Sequence, residues 1–167
     1  MNRSASGMSF AGARRRPAAA LGWLLRLGLA GLFLVAGALK LGDPAAFAQE
    51  IANYQLAPGL APYLAIVLPP MEIVAALALL AGPRPWRQAG ALALGALALV
   101  FTGAVATAAA RGLDISCACF GAGSSAVGWT TVARNVGLVA AAALLLVLET
   151  RARPPATSPP PSPAATP

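Results

Sequence analysis

The chain has 167 residues, of which 58% are hydrophobic and only 10% are charged. Soluble domains carry about 25% charged residues, so this composition excludes a water-soluble globule and predicts an integral membrane protein. The net charge of +7 does not indicate nucleic-acid binding, because no basic stripe is interleaved with aromatic side chains. The chain has no histidine, which removes the most common metal ligand and the most common base at neutral pH.

The chain begins with a polar, basic stretch. Residues 1–17 include consecutive arginines at positions 14–16 and are expected to form a disordered cytoplasmic tail. An apolar segment follows at residues 18–41, interrupted by Arg26 and ending beside Lys40. A cleaved signal peptide also starts with basic residues, but this segment is longer than a usual hydrophobic region and contains Arg26. We therefore interpret it as a retained membrane anchor.

Three further apolar segments, at residues 60–81, 88–110 and 126–148, are each long enough to cross roughly 30 Å of hydrocarbon. Together with the first segment they predict one all-α domain, an integral membrane four-helix bundle at residues 18–150. Residues 151–167 are rich in proline and alanine and cannot pack a core. They are expected to form a second disordered cytoplasmic tail.

Local sequence predicts a kinked crossing and a short extra helix. Pro69 and Pro70, within the second crossing, remove backbone donors and are expected to kink that helix. Asp43-Pro44, between the first two crossings, is typical of a helix start. The same connection carries three large side chains at helical spacing, which predicts an amphipathic helix on the membrane surface: Phe47, Ile51 and Tyr54.

The basic residues predict how the bundle is oriented. Outside the crossings most of them fall on one side, and only Lys40 and Arg111 fall on the other. The positive-inside rule then places both termini in the cytoplasm and the connection between the third and fourth crossings on the periplasmic or extracellular side. We expect a multi-pass protein of the bacterial inner membrane. The residues on the cytoplasmic side are Arg3, Arg14, Arg15, Arg16, Arg84, Arg87, Arg151 and Arg153.

Cys117 and Cys119 are the only cysteines of the chain, and they lie in the sequence Cys-Ala-Cys-Phe-Gly of the outer connection. Two cysteines at this spacing can come within bridging distance, but the small ring they close is expected to be strained. A strained, exposed disulfide is labile and suits thiol exchange better than stapling. Two other interpretations stay open: an inert local disulfide, and metal ligation, which would need two more ligands in a chain without histidine.

Arg26, Glu72 and Arg134 lie within predicted crossings, where an isolated charge is costly. Counting residues from the cytoplasmic ends places Arg26 and Glu72 at nearly one depth, at about 1.5 Å per residue. We therefore predict an Arg26–Glu72 ion pair between the first and second crossings. Either this pair is a structural clamp, or Glu72 forms part of a proton or ligand site below the cysteines.

Lys40 and Arg111 lie at the outer ends of the first and third crossings. With Arg134 they would form a positive rim around the cysteine loop, which would favour the thiolate form. For Lys40 and Arg111 we favour the simpler interpretation, in which long basic side chains snorkel to the interface. For Arg134, together with Asn135, we favour a place inside the bundle.

These residues resemble the MauE family, the methylamine-utilisation membrane proteins, which are related to a wider DoxX-like group. The resemblance covers about residues 21–148, and its most specific element is Cys-Ala-Cys-Phe-Gly after Arg111-Gly112. It implies a four-helix bundle similar to that of membrane disulfide-forming enzymes. It also implies a role in maturing periplasmic methylamine dehydrogenase, together with a thioredoxin-like partner. The other matching residues are Arg26, Gly37, Lys40, Asp43, Pro44, Phe47, Tyr54, Pro69, Glu72, Arg134 and Asn135.

Our leading hypothesis is a membrane thiol–disulfide protein in which Cys117 and Cys119 exchange electrons with a periplasmic thioredoxin-like partner. A quinone beside the second and fourth crossings is a candidate acceptor. One alternative is a non-catalytic assembly scaffold whose cysteines only lock a loop, and another is a small-solute transporter with Glu72 as its coupling carboxylate. Helices rich in glycine and alanine pack equally well in a monomer or a dimer, so the oligomeric state stays open.

Overall fold

The computed structural model describes residues 9–113, 115 and 128–151, with side chains from residue 20. All regular structure in this part of the chain is helical, so the predicted all-α class is confirmed. The first helix begins ahead of the apolar segment marked by the sequence, within the stretch predicted as a tail. The helices are α1 (Ser9–Gly42), α2 (Pro44–Asn53), a short 3₁₀ helix (Pro58–Leu60), α3 (Ala61–Ala81), α4 (Arg84–Ala110) and α5 (Trp129–Arg151).

Four of these helices are long and apolar enough to cross a membrane, and they form a bundle. The spans are Ala20–Gly42, Pro58–Ala81, Arg84–Ala110 and Trp129–Arg151. Around the bundle, α1 packs against α3 and α5, and α4 packs against the same two helices. Neighbouring helices run in opposite directions. We call the end with the tight α3–α4 connection the turn end, and the end with α2 and the α4–α5 connection the loop end.

The bundle has a core of small side chains and a surface of large apolar ones. Most of the buried positions of the main core cluster are alanines, supplemented by a few leucines and one phenylalanine. Side chains as large as Tyr63, Ile66, Leu92 and Val100 are exposed on the outer surface. Exposure of this apolar surface to water would be unfavourable, whereas lipid chains solvate it. The distribution is therefore that of a membrane bundle, in which small residues let the helices approach closely.

Two glycines mark the closest helix contacts. A methyl group added at Gly90 of α4 would lie 2.6 Å from the Ala75 carbonyl oxygen of α3. A methyl group added at Gly37 of α1 would lie 2.9 Å from Ile73 Cγ1 and 3.2 Å from the Pro69 carbonyl oxygen. Neither backbone could approach α3 this closely with a larger side chain, so these positions set the distance of α1 and α4 from α3.

Helix α3 continues through Pro69 and Pro70 as one helix from Ala61 to Ala81. Because a proline nitrogen cannot donate, the carbonyls of Ala65 and Ile66 lose their usual helical partners. Pro69 is buried in the bundle beneath Gly37 of α1. The kink predicted from these prolines stays a prediction.

The predicted amphipathic helix is present as α2, but its apolar side faces the bundle. Asp43 caps it by accepting a hydrogen bond from the Ala46 backbone nitrogen at 2.9 Å, and Pro44 occupies the first turn. Phe47 and Tyr54 are buried in a second apolar cluster with residues of α3 and α4. These side chains attach α2 to the loop end. The predicted position of this helix at the membrane surface stays a prediction.

The glycine contact between α3 and α4 can be tested with one substitution at two positions of the same helix. Gly90→Ala is expected to lower the thermal unfolding midpoint of the purified protein, because overpacking costs about 1–3 kcal/mol. Gly103→Ala has no atom within 4 Å of the added methyl group. Since alanine is favoured over glycine in helices, it should leave the midpoint unchanged or raise it. Equal midpoints for both variants would contradict the close contact.

Candidate functional site

A buried ion pair lies in the middle of the bundle. Lys40 Nζ of α1 donates to Glu72 Oε1 of α3 at 2.6 Å, and the two side chains are only 3% and 0% exposed. Helical side chains lean toward the N-terminus of their own helix. Because α1 and α3 run in opposite directions, Lys40 leans away from the loop end and Glu72 leans toward it. The two charges therefore meet inside the bundle although their Cα atoms start from different depths.

Two aromatic rings enclose the ammonium group of Lys40. Its Nζ lies 5.0 Å from the centre of the Phe47 ring and 4.8 Å from that of Phe101. The faces of these rings attract a cation, and the attraction is strongest where water is excluded. The positive charge of Lys40 also acts on Glu50 of α2. Burial raises the pKa of the Glu50 carboxyl, and the attraction to Lys40 partly opposes that rise. The pair thus joins α1, α2, α3 and α4 at the loop-end half.

The predicted Arg26–Glu72 pair is wrong. Arg26 instead pairs with Glu149 of α5. The depth count failed because α1 extends past the other helices at the turn end. Leu29 of α1 shares a core cluster with Leu79 of α3, so Arg26 lies beyond them, whereas Glu72 is about two turns nearer the loop end.

At the turn end, Glu149 is the shared partner of a second group of charged and polar side chains. Besides Arg26, its carboxylate accepts from Arg87 Nη2 at 3.4 Å. Its backbone carbonyl accepts from Arg84 Nη2 at 3.0 Å and from Gln88 Nε2 at 3.5 Å. The guanidinium of Arg26 also lies 4.8 Å from the centre of the Trp23 ring. This cluster fastens the end of α5 to α1 and to the first turn of α4.

Sequence reasoning missed Glu149, although a signal was present. The fourth crossing was predicted to end at residue 148, so this carboxylate followed it directly on the arginine-rich side. The chain has only 5 acidic residues. A search for the counterion of each buried arginine among so few carboxylates would have included Glu149 as a partner for Arg26.

A small cavity with mostly apolar walls and three polar side chains lies beside the central pair. It has a volume of about 40 Å³ and is lined by Lys40, Glu72, Asn135 and apolar side chains of α1, α4 and α5. Within the described part of the chain, Glu72 Oε2 and Asn135 Nδ2 have no hydrogen-bond partner. Pockets for organic ligands begin at roughly 300 Å³. The cavity is smaller than such pockets, and the quinone expected beside the second and fourth crossings stays a prediction.

The remaining predicted rim residues do not form one group. Lys40 is neither a rim residue nor a snorkelling one, since it is buried in the central pair. Arg134 lies on the exposed side of α5, so the predicted place inside the bundle is right for Asn135 and wrong for Arg134. Arg111 is at the loop end, as expected, and donates to the Tyr54 backbone carbonyl. It thereby joins the end of α4 to the end of α2.

The α4–α5 connection leaves the loop end through a defined turn. Gly112 has a φ of +65°, a conformation that favours glycine, and the Leu113 backbone nitrogen donates to the Ala108 carbonyl at 3.1 Å. At the other side, the Thr131 nitrogen donates to the Gly128 carbonyl at 3.0 Å. Cys117 and Cys119 lie outside the described residues. Among those described, no group of three or more metal-ligating side chains is found.

The fold and the charge pairs define a class: a multi-pass membrane protein whose four helices are joined by buried ion pairs. Residues 18–148 match the family described as methylamine utilisation protein MauE. The chain is also 38% identical over 123 residues to the methylamine utilization protein MauE of Paracoccus denitrificans. It belongs to the MauE family. That match covers 72% of this chain and 65% of the relative's length. No solved structure matches the chain.

The central pair can be tested by a double-mutant cycle. Lys40→Met should lower unfolding stability by about 3–5 kcal/mol, because it leaves the Glu72 carboxylate buried without its cation. The double variant Lys40→Met/Glu72→Met should regain most of this loss, since neither charge remains. The measurement is unfolding in mixed detergent micelles. As a matched comparison, Arg26→Met and Glu72→Met should be additive, and strong coupling between them would contradict the observed pairing.

The turn-end cluster can be tested at its carboxylate. Glu149→Gln leaves Arg26 and Arg87 without a counterion and should cost roughly 3 kcal/mol. Glu50→Gln is the matched control. Because burial raises the pKa of Glu50, the fold favours its neutral form, and removing its charge should not lower the midpoint. Equal losses for both variants in a thermal scan at pH 7 would rule out a specific role for Glu149.

Proposed function

We propose that the chain is a membrane thiol–disulfide protein in which Cys117 and Cys119 exchange electrons with a periplasmic thioredoxin-like partner. One observation carries the proposal: the only cysteines of the chain form a Cys-Ala-Cys element inside the region that matches the MauE family. The proposal includes the orientation given by the positive-inside rule, with both termini cytoplasmic and the cysteines on the oxidising side. Disulfides persist in that compartment.

The proposed step is a reversible thiol–disulfide exchange. A thiolate of the partner attacks one sulfur of the Cys117–Cys119 disulfide and forms a mixed disulfide, while the other cysteine leaves as a thiolate. The second partner thiol then attacks the mixed disulfide. The partner gains one S–S bond, and Cys117 and Cys119 gain the two electrons and, at neutral pH, two protons. The reverse sequence reduces the partner, so the step needs no further reactant.

The frame around the connection supports this role. Helix α4 ends and helix α5 begins at the loop end, so both described ends of the connection lie on one side of the bundle. The Gly112 turn and the Arg111–Tyr54 bond fix where the connection starts. The nearby Lys40–Glu72 pair fastens α1 to α3 on the same half of the bundle. A loop on a rigid support can meet a protein partner without distorting the bundle.

We infer that the pathway served is methylamine utilisation, because the relative from Paracoccus denitrificans is named for it. The client would be a periplasmic protein rich in disulfides, such as a methylamine dehydrogenase subunit. Glu72 is less suited to transport, since its carboxylate is buried in a pair with Lys40 and the cavity beside it is small. We therefore assign Glu72 and Lys40 to architecture and the cysteines to chemistry.

The proposal can be tested by alkylation trapping in intact cells. Because the chain has no other cysteine, Cys117→Ser, Cys119→Ser and the double variant account for every thiol signal. In the wild type the pair should change between dithiol and disulfide when reductant is added, as read from the mass shift. At least one single variant should trap a mixed disulfide with a partner.

Two results would contradict the proposal of thiol–disulfide exchange. A pair that stays in one redox state under all conditions would refute exchange. Normal client maturation by the Cys117→Ser/Cys119→Ser protein would favour the non-catalytic scaffold, in which the cysteines only lock a loop.

A further inference from the structure

We propose that the central cavity is a binding site for water, held between Glu72 and Asn135. The inference goes beyond the proposed thiol chemistry and does not depend on it. It starts from two buried polar atoms of opposite hydrogen-bonding character. Glu72 Oε2 can only accept when the carboxylate is charged, and Asn135 Nδ2 can only donate. Both line one cavity, and neither has a partner among the described residues.

Because both atoms are buried, each requires a hydrogen-bond partner. The Glu72 side chain is 0% exposed and Asn135 is 4% exposed. In a membrane neither atom can turn to bulk solvent, so each needs a partner within the bundle. Lys40 satisfies only the other carboxylate oxygen, Glu72 Oε1. A molecule that donates to Glu72 Oε2 and accepts from Asn135 Nδ2 would complete both groups, and a hydroxyl group does both.

The size of the cavity identifies the molecule. A volume of about 40 Å³ accommodates a few water molecules, at roughly 10–15 Å³ of such volume for each. It does not accommodate a six-membered ring. The apolar walls, formed by residues such as Phe33 and Phe101, offer the water no competing hydrogen-bond partner.

This water would give the bundle a connection that its direct contacts lack. Helices α3 and α5 lie across the bundle from each other, since each packs mainly against α1 and α4. Water between Glu72 and Asn135 would join α3 to α5 and extend the Lys40–Glu72 pair into a chain over three helices. Asn135 lies near the start of α5, directly after the connection that carries the cysteines. The water would therefore help to position that side of the loop end.

Radiolytic hydroxyl labelling of the whole protein in water labelled with heavy oxygen tests the site directly. Radicals generated from a bound water modify the side chains that it touches. Phe33 lines the cavity and is 5% exposed, so its labelling requires internal water. Leu94, which is 0% exposed in the core and does not line the cavity, is the control within the same molecule. We expect heavy oxygen on Phe33 and none on Leu94. If Phe33 stays as unlabelled as Leu94, the proposal is overturned.

A substitution gives a second, independent test. Asn135→Leu fills the cavity and should abolish Phe33 labelling while lowering the unfolding midpoint. In the Lys40→Met/Glu72→Met background the bridge to Glu72 is already absent, so the same change should leave the midpoint unchanged or raise it. An equal loss in both backgrounds would show that Asn135 acts only by packing and would refute the water bridge. Should Asn135→Leu fail to fold, the labelling of the wild type decides.

Discussion

The structure depends on one constraint: a charge placed in hydrocarbon must find its partner inside the protein. Lys40 and Glu72 meet this requirement at the centre of the bundle, and Arg26 and Glu149 meet it at the turn end. Each pair joins helices that are distant in sequence, so each also fixes how far one helix can slide along the other. A shift of one turn, about 5.4 Å, would separate both pairs and leave four buried charges.

The small residues make this arrangement possible. In a membrane the apolar surface gains little by leaving lipid, so helices associate through close packing and polar contacts. Gly37 and Gly90 allow α1 and α4 to approach α3 to backbone distance. Only at such short distances can Lys40 reach across to Glu72 while its ammonium stays between Phe47 and Phe101. Packing and ion pairing therefore support one another.

Sequence reasoning predicted the fold because hydrophobic length is a direct signal. Four apolar segments gave four helices, and Asp43-Pro44 marked the start of α2 where the cap is found. The charge pairs were not predictable in the same way. Depth counting treats a side chain as a point at its Cα, whereas Lys40 and Glu72 lean toward each other from different depths. It also needs the true end of α1, which a hydropathy boundary at residue 18 does not give.

Under the proposed function, the buried charges hold the bundle together and the cysteines carry the chemistry. A carboxylate that serves a transport cycle must exchange partners, whereas the Glu72 side chain is fully buried, pairs with Lys40 and lines a cavity of only about 40 Å³. Such burial favours a single, permanent Lys40–Glu72 pair over a cycle in which Glu72 changes partners. The connection between α4 and α5 carries the only thiols of the chain, in a sequence rich in small residues. Under the proposed thiol exchange, a bundle held by buried ion pairs would support the connection while a partner approaches it, because the chemistry requires access for a partner and no movement of the helices.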